Sequence, residues 1–260
     1  MIARALAGLL LAALVSFLAR TARSLTVGGA IAATLVGTTA VAAGWDWGAL
    51  LILYFATSTA LSRLGRSLKE QRTAPIVAKG GERDAVQVLA NGATFAGAAI
   101  AMLIRPDARW IALGAGSLAA AAADTWATEI GTLYGGEPRS IFSGRRVPTG
   151  TSGGITPIGT LAAVSGAMFI AILAKLLGAT PAVARHVALG GVVGALLDSV
   201  LGASVQARRW CDVCKRETER MTHDCGTTTR HLRGWKWLDN DLVNFLSNAA
   251  GGLLAALLSR

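Results

Sequence analysis

Long apolar segments dominate this chain, at residues 2–18, 27–43, 47–62, 85–104, 109–126, 155–178, 187–205 and 241–258. A helix of about 20 apolar residues spans a bilayer. Charged residues make up only 15% of the chain and the mean hydropathy is +0.50, which argues against a soluble enzyme, a disordered chain or a small disulfide scaffold. The sequence predicts an all-α fold, a polytopic transmembrane helical bundle with about eight spans, as a single integral membrane domain over residues 1–260.

The apolar segments are rich in Ala, Gly and Leu, which predicts close helix packing. The first segment follows Arg4 and could be read as a signal peptide, but no small-x-small cleavage site comes after it. We therefore expect a retained span. No internal repeat, direct or inverted, is apparent in the sequence.

Basic residues are distributed asymmetrically. The net charge is +10, and 19 of the 25 Lys and Arg residues lie in the first, third, fifth and seventh connections between the apolar segments. This bias predicts that these connections face the cytoplasm of a multi-pass cell-membrane protein, with both termini outside if there are eight spans. It also favours contact with anionic membrane lipids over nucleic acid. The long connections 63–84, 127–154 and 206–240 share this side, where we expect the functional face.

Polar side chains gather at the expected cytoplasmic ends of the helices. They are Lys79, Arg83, Asp84, Gln87 and Asn91, then Asp124 and Glu129, then Asp198 and Gln206, then Asp239, Asn240, Asp241, Asn244 and Asn248. Asp124 and Asp198 are expected near helix C-termini, where the helix dipole disfavours an anion. A carboxylate at membrane depth marks a functional site by default. We expect a compensating cation, either a basic side chain or a metal; for Asp239 and Asp241, helix capping is the alternative.

Several carboxylates and amides at one end of a bundle suit Mg²⁺, which prefers oxygen ligands and often binds together with substrate phosphates. Coupling to sodium or protons in a transporter is the alternative. The connection Gly144-Arg145-Arg146-Val147-Pro148-Thr149-Gly150-Thr151-Ser152-Gly153-Gly154 precedes an apolar segment. Such a turn can offer backbone N–H groups to phosphate, and adjacent arginines can add charge-assisted bonds. It is not a Walker A motif, and a flexible turn is the alternative.

A cysteine and histidine cluster lies in the basic connection 206–240, which we read as a cytoplasmic insertion between the last two helices. Cys211, Cys214, His223 and Cys225 form a complete tetrahedral set for a structural Zn²⁺. His231 could replace His223, while Asp212 and Asp224 are weaker candidates. Free thiols or an Fe–S cluster are the other readings. Trp210, Trp235 and Trp237 are expected to anchor this insertion at the membrane surface.

Five sequence blocks occur in one order across residues 60–250: Gln87-Val88-Leu89-Ala90-Asn91-Gly92, Ala123-Asp124-Thr125-Trp126-Ala127-Thr128-Glu129-Ile130-Gly131, Gly150-Thr151-Ser152-Gly153-Gly154-Ile155-Thr156, Asp198-Ser199-Val200-Leu201-Gly202-Ala203 and Asp239-Asn240-Asp241-Leu242-Val243-Asn244. Together with the Cys/His run, they resemble the family that includes transmembrane protein 19 and the plant phytyl-phosphate kinase of tocopherol synthesis. The resemblance implies phosphoryl transfer from a nucleoside triphosphate, with CTP slightly favoured over ATP, to an isoprenyl monophosphate such as phytyl or geranylgeranyl phosphate. The product would be the diphosphate, used in tocopherol or quinone biosynthesis.

For this reaction we expect Asp124, Glu129, Asp198 and Asp241 to hold Mg²⁺. Residues 150–154 with Arg145 and Arg146 would bind the nucleotide, and Lys79, Arg83 and Asn91 the acceptor phosphate. Further binding residues would be Gln87, Gln206, Asp239, Asn240 and Asn244. The alternatives are a secondary transporter or flippase, a kinase of the free isoprenoid alcohol with Asp124 as base, and a structural protein.

Overall fold

A computed structural model describes residues 2–260 of the chain. Its helices are α1 (Ile2–Thr21), α2 (Val27–Ala43), α3 (Trp45–Arg63), α4 (Arg66–Thr73), α5 (Ala85–Ile104), α6 (Ala108–Tyr134), α7 (Pro157–Leu176), α8 (Pro181–Ser204) and α9 (Asn240–Leu258). The strands are β1 (Arg139–Ser140), β2 (Gly154–Ile155), β3 (Arg208–Cys211), β4 (Arg216–Thr218) and β5 (Arg230–Arg233). Each predicted apolar segment is helical over most of its length, although the segment 155–178 begins with Ile155 of β2 and the N-cap residue Thr156. The mainly helical fold is therefore confirmed.

Five helices, α1, α5, α7, α8 and α9, are long and apolar enough to cross a membrane. A sixth crossing results if α3 and α4, which meet at an angle of 74°, are counted as one broken span. α2 is apolar but has only 17 residues. Length and composition thus support five or six spans, and the number eight stays a prediction.

α6 occupies the centre of the bundle and packs against α3, α5, α7, α8 and α9. Its segment from residue 114 to 123 consists of Ala, Gly, Ser and Leu and is buried. Small residues let the neighbouring backbones come close: a Cβ added at Gly190 would lie 2.3 Å from the Gly251 carbonyl oxygen, and one at Gly252 2.5 Å from the Leu113 carbonyl oxygen. Close backbone contact of this kind favours tight association of membrane helices.

Several predicted boundaries are wrong. α6 continues past residue 126 to Tyr134, because the chain offers no glycine pair or proline before Gly135 and Gly136. α8 begins at Pro181, where Thr180 accepts a capping hydrogen bond from the Val183 N–H. The polar segment expected to be only a connection at 63–84 contains α4.

The three long connections meet at one end of the bundle, called the loop end below. β1 pairs antiparallel with β2, and β4, β3 and β5 form an antiparallel sheet within the insertion 206–240. The sheet contacts the segment after α4, since the Glu219 N–H donates to the Ile76 carbonyl at 2.8 Å and Arg220 Nε donates to the Val77 carbonyl at 2.8 Å. The insertion is therefore part of the loop end of the bundle.

Candidate functional site

A cavity of about 570 Å³ opens at the loop end. Its lining includes most of the residues that the sequence singled out: Lys79, Arg83, Gln87, Asn91, Asp124, Glu129, Gly150, Thr151, Ser152, Gly153, Gly154, Asp198, Asp239, Asn240, Asp241 and Asn244. These residues come from four helices, α5, α6, α8 and α9, and from three connections, and they converge on a single space.

Asp124 of α6 and Asp198 of α8 face this cavity without a basic partner. Neither carboxylate forms a salt bridge within residues 2–260, and Asp198 Oδ2 is buried with no hydrogen-bond donor. The placement of Asp124 near a helix C-terminus is wrong, because α6 continues well beyond it to Tyr134. An unpartnered buried carboxylate oxygen beside a second carboxylate fits the oxygen ligands that Mg²⁺ requires.

Glu129 differs from these two carboxylates, because it already has a cation. Lys69 of α4, only 7% exposed, donates to Glu129 Oε2, and Ser62 Oγ donates to Glu129 Oε1 at 2.6 Å. Lys69 is not among the residues predicted for the site, because the sequence predicts a connection at 63–84. The signal was present, since Gly65 and Pro75 bracket a run of helix-forming residues.

Asp241 also has a basic partner: Lys79 Nζ lies 2.5 Å from Asp241 Oδ2 and 2.8 Å from Asp84 Oδ2. Partial burial opposes ionisation of Asp84, but hydrogen bonds from Lys79 and from the Gln87 backbone N–H outweigh it and hold the pKa of Asp84 below its usual value. Asp84 and Gln87 form a capping box on α5. Asp239 caps α9 by accepting from the Leu242 N–H at 3.0 Å, so the capping interpretation is correct for Asp239.

Arg83 is held in place by its backbone. Its N–H donates to the Ser24 carbonyl and its carbonyl accepts from the Thr26 N–H, both at 3.0 Å. Its guanidinium donates to Ser62 Oγ at 3.2 Å. The connection between α1 and α2 therefore positions a cation at the cavity. Three further basic residues that sequence reasoning did not assign, Arg23, Arg63 and Arg66, also line it.

The glycine-rich connection forms one wall. Gly150 and Gly153 have left-handed φ angles of 92° and 76°, which glycine adopts without strain. A Cβ at Gly153 would lie 2.3 Å from the Ala203 Cβ. Ser152 Oγ donates to Glu219 Oε1 at 2.5 Å, which joins this wall to the insertion 206–240.

Glu219 is a further cavity residue that sequence reasoning missed, since nothing distinguishes it there from the other charged residues of the insertion. Burial is the largest influence on Glu219 and raises the pKa of its carboxyl, although Arg208 opposes the shift. Arg208 Nη1, fully buried, lies 3.3 Å from Glu219 Oε1.

Three predicted binding residues are absent from the cavity lining. Arg146 forms an exposed ion pair with Glu137 at 2.8 Å, and Arg145 is exposed outside the cavity. Gln206 is 1% exposed and lies behind the wall, where its Nε2 donates to Ser152 Oγ at 3.1 Å and to Glu219 Oε1 at 2.9 Å. The structure therefore gives Gln206 a supporting position and leaves the two arginines apart from the site.

The Cys/His cluster is assembled as a possible metal site. The ligand atoms of Cys211, Cys214, His223 and Cys225 all lie within 4.8 Å of one another, and the Cys211 and Cys225 sulfurs are 3.6 Å apart. Tetrahedral Zn–S bonds of 2.3 Å would place two sulfurs about 3.8 Å apart. Both ring nitrogens of His223 are buried and have no hydrogen-bond partner among the residues that the structure describes, so the donor set fits a metal ion.

The other predicted ligands lie outside this cluster. Asp212 pairs with Arg230 at 3.2 Å and Asp224 pairs with Arg220. His231 is not among the clustered ligands. Of the nearby tryptophans, Trp235 and Trp237 stack with ring centroids 5.3 Å apart and are largely exposed.

The chain is similar to one family of membrane proteins and to several of its members. Residues 10–252 match the family described as integral membrane protein DUF92. Protein PGR of Arabidopsis thaliana is 30% identical, over 98% of this chain and 96% of the relative. Protein VTE6, chloroplastic, of the same plant is 30% identical over 91% of this chain and 66% of the relative. An uncharacterized membrane protein of Synechocystis sp. is 28% identical over 82% and 74%.

No solved structure matches the chain. The family match and the PGR match each extend over most of the sequence and include every block that lines the cavity. The chain therefore belongs to the integral membrane protein family DUF92, as its resemblance to the phytyl-phosphate kinase family predicted.

Proposed function

We propose that this protein transfers a phosphoryl group from a nucleoside triphosphate, CTP or ATP, to an isoprenyl monophosphate. The reaction would take place where the loop end meets the cytoplasmic face of the cell membrane, in a bundle of about eight spans. One observation carries the proposal: two unpaired carboxylates and a set of basic side chains share one cavity at the end of a membrane bundle. Membership of the family supports it.

The chemistry requires positioning more than a strong base. An ionised oxygen of the acceptor phosphate attacks the γ-phosphorus, the bond from that phosphorus to the β–γ bridging oxygen breaks, and the nucleoside diphosphate leaves with the electron pair. The acceptor becomes the isoprenyl diphosphate. Since the nucleophile is already ionised, the protein needs only to align two polyanions and offset their repulsion.

The cavity offers both kinds of charge for this task. Asp124 and Asp198 would hold Mg²⁺, which supplies positive charge to phosphate oxygens when bound. Lys79 and Arg83, each fixed by hydrogen bonds, would hold the acceptor phosphate. The wall at residues 150–154 would face the nucleotide phosphates. Glu129 and Asp241 would act mainly through Lys69 and Lys79.

We also propose that Cys211, Cys214, His223 and Cys225 hold a structural Zn²⁺. Four protein ligands leave no open coordination position, which is typical of a structural site. The metal would brace β3 and β4, and through Glu219 the wall that contains Ser152.

The test uses purified protein in detergent with Mg²⁺, CTP or ATP, and phytyl, geranylgeranyl or shorter isoprenyl monophosphates. Mass spectrometry should detect the diphosphate, and Asp124→Asn should lower its rate of formation by about 10²–10³-fold in protein that remains folded. Exposed Asp212→Asn is the matched control and should leave the rate unchanged. If folded wild-type protein converts no acceptor with either nucleotide, the proposal is wrong and transport or flipping becomes the better reading.

A further inference from the structure

The cavity has an apolar extension that the polar chemistry does not explain. Besides its charged residues, it is lined by Thr160, Ala163 and Val164 of α7 and by Val192, Ala195 and Leu196 of α8. We call these six residues the apolar arm. On each helix they recur three and four positions apart, and therefore form a stripe on one face.

The apolar arm extends from the loop end into the membrane layer. α7 begins at Pro157 and α8 ends at Ser204, so both helices have an end at the loop end. Val192 lies 12 residues before Ser204, and at 1.5 Å per residue the stripe on α8 reaches about 18 Å into the bundle. Asp198 lies between Leu196 and the loop end, where the arm joins the polar part of the cavity.

One side of the arm is closed and the other is open. Ala163 and Val192 pack against a buried cluster of Ala123, Ala167 and Ala195, so α6 closes the inner side. Toward the outside of the bundle, Val164 is 39% exposed and Leu196 is 48% exposed, although both also line the cavity. A residue that both lines the cavity and faces outward marks an opening between α7 and α8.

We propose that the apolar arm binds the hydrocarbon chain of the lipid phosphate, which enters sideways from the bilayer between α7 and α8. This inference rests on the proposed function for the identity of the headgroup. Continuity with the polar cavity selects this occupant, because a molecule filling both parts must be anionic at one end and apolar at the other. Small side chains at 163 and 195 leave the space that a branched chain needs.

The first test narrows the arm. Ala163→Phe should raise KM for geranylgeranyl phosphate about tenfold, because the larger side chain would displace about two methylene groups of the substrate from the arm. It should leave kcat/KM for isopentenyl phosphate, which is too short to reach the arm, within about twofold. The matched control is Leu161→Phe, two positions away on the same helix and 68% exposed outside the cavity. Equal losses for both acceptors would overturn the proposal.

The second test needs neither a variant nor turnover. Wild-type protein is photolabelled with geranylgeranyl phosphate that carries a diazirine at its terminal isoprene unit, and the labelled peptides are mapped. Label within 160–164 and 192–196 that unlabelled geranylgeranyl phosphate displaces supports the arm. Displaceable label confined to other helices, or no displaceable label, overturns it. Correct labelling in a protein that forms no diphosphate would preserve the arm and reject the kinase.

Discussion

Asp124 and Glu129 show how one helix carries two carboxylates with different surroundings. Both lie on α6 and both line the cavity, but Lys69 and Ser62 satisfy Glu129, whereas Asp124 has no basic partner among residues 2–260. The unpaired carboxylate is the one available to a metal ion. The paired one holds α4 against α6.

Substitutions at these two positions should therefore have different effects. Asp124→Asn should lower kcat/KM by about 10²–10³-fold, the cost of losing one electrostatic contact in such a site, without loss of thermal stability. Glu129→Gln should destabilise the fold by about 3 kcal/mol, because it leaves the Lys69 ammonium buried without its anion. Thermal unfolding in detergent and the kinase assay separate the two outcomes. Equal destabilisation by both substitutions would contradict this assignment.

The buried pair of Arg208 and Glu219 gives a pH-dependent prediction. Arg208→Met should cost about 3 kcal/mol at neutral pH by leaving an unpaired carboxylate. Burial raises the pKa of Glu219, so the native state retains a proton that the unfolded state releases, and stability falls as pH rises from the ordinary carboxyl pKa through this raised value. Removing Arg208 removes an influence that lowers this pKa and should steepen that fall. Unfolding midpoints of both proteins at pH 5 and pH 8 test it; parallel profiles would count against it.

Among the structural elements, the long connections at the loop end form much of the cavity wall and contact one another. The segment after α4, residues 150–154 and the sheet β4-β3-β5 are linked by hydrogen bonds through Ile76, Ser152 and Glu219. Each is too small to bury a core of its own. We expect them to depend on one another and on a metal ion held by the Cys/His cluster.

Metal removal tests that dependence. We expect one Zn²⁺ per chain by elemental analysis, and loss of the metal in Cys214→Ser. Without it, protease should cut within residues 212–229 while the helices remain intact, because the four ligands join residues 211–214 to residues 223–225. The matched control is Lys215→Ala. This substitution changes an exposed side chain next to Cys214, leaves all four ligands in place and should retain the metal. A metal-free wild-type protein with an uncut segment would refute the site.

The glycine-rich wall should tolerate no side chain at Gly153. Gly153→Ala adds a Cβ that would lie 2.3 Å from the Ala203 Cβ, so the wall must move. The backbone at position 153 also has a positive φ. Gly136→Ala is the matched control, with φ of 69° but nothing within 4 Å of the added carbon. Both substitutions should lower the free energy of unfolding by about 1–2 kcal/mol, because alanine is strained in a left-handed backbone. Only Gly153→Ala should reduce activity, by about tenfold or more, because a small displacement of the wall misplaces the groups that bind substrate. Equal activities would contradict the role of this wall.

At the scale of the whole molecule, hydropathy predicts where the helices lie, but it does not predict which side chains of distant segments contact one another. The apolar segments locate eight of the helices because membrane helices must be apolar over about 20 residues. α4 escapes this criterion, since it is short and polar. Its Lys69 meets Glu129 across 60 positions of sequence, a contact that no local pattern reveals. Arg145 and Arg146 look suitable for phosphate in sequence, but the fold of β1 and β2 turns them outward.

The positive-inside prediction can be tested on whole cells. Ser143→Cys places a thiol at the loop end, and Pro106→Cys places one at the opposite end, both at exposed positions. If the loop end is cytoplasmic, a membrane-impermeant maleimide should label only the second in intact cells and both after permeabilisation. Unsubstituted protein controls for the three native cysteines. Labelling of Ser143→Cys in intact cells would reverse the orientation.

The glycine contacts between α8 and α9 have a mechanical consequence. Where the Gly190 backbone touches Gly251, the nearest side chains are the single methyl groups of Ala120 and Ala255, so no change of rotamer can let these helices slide. α6, α8 and α9 should then behave as one stiff block during turnover, with the slowest amide exchange in the protein. In the proposed reaction, substrate would enter and product would leave without spreading these three helices, so the moving parts would be restricted to α7, the outer helices and the loop end.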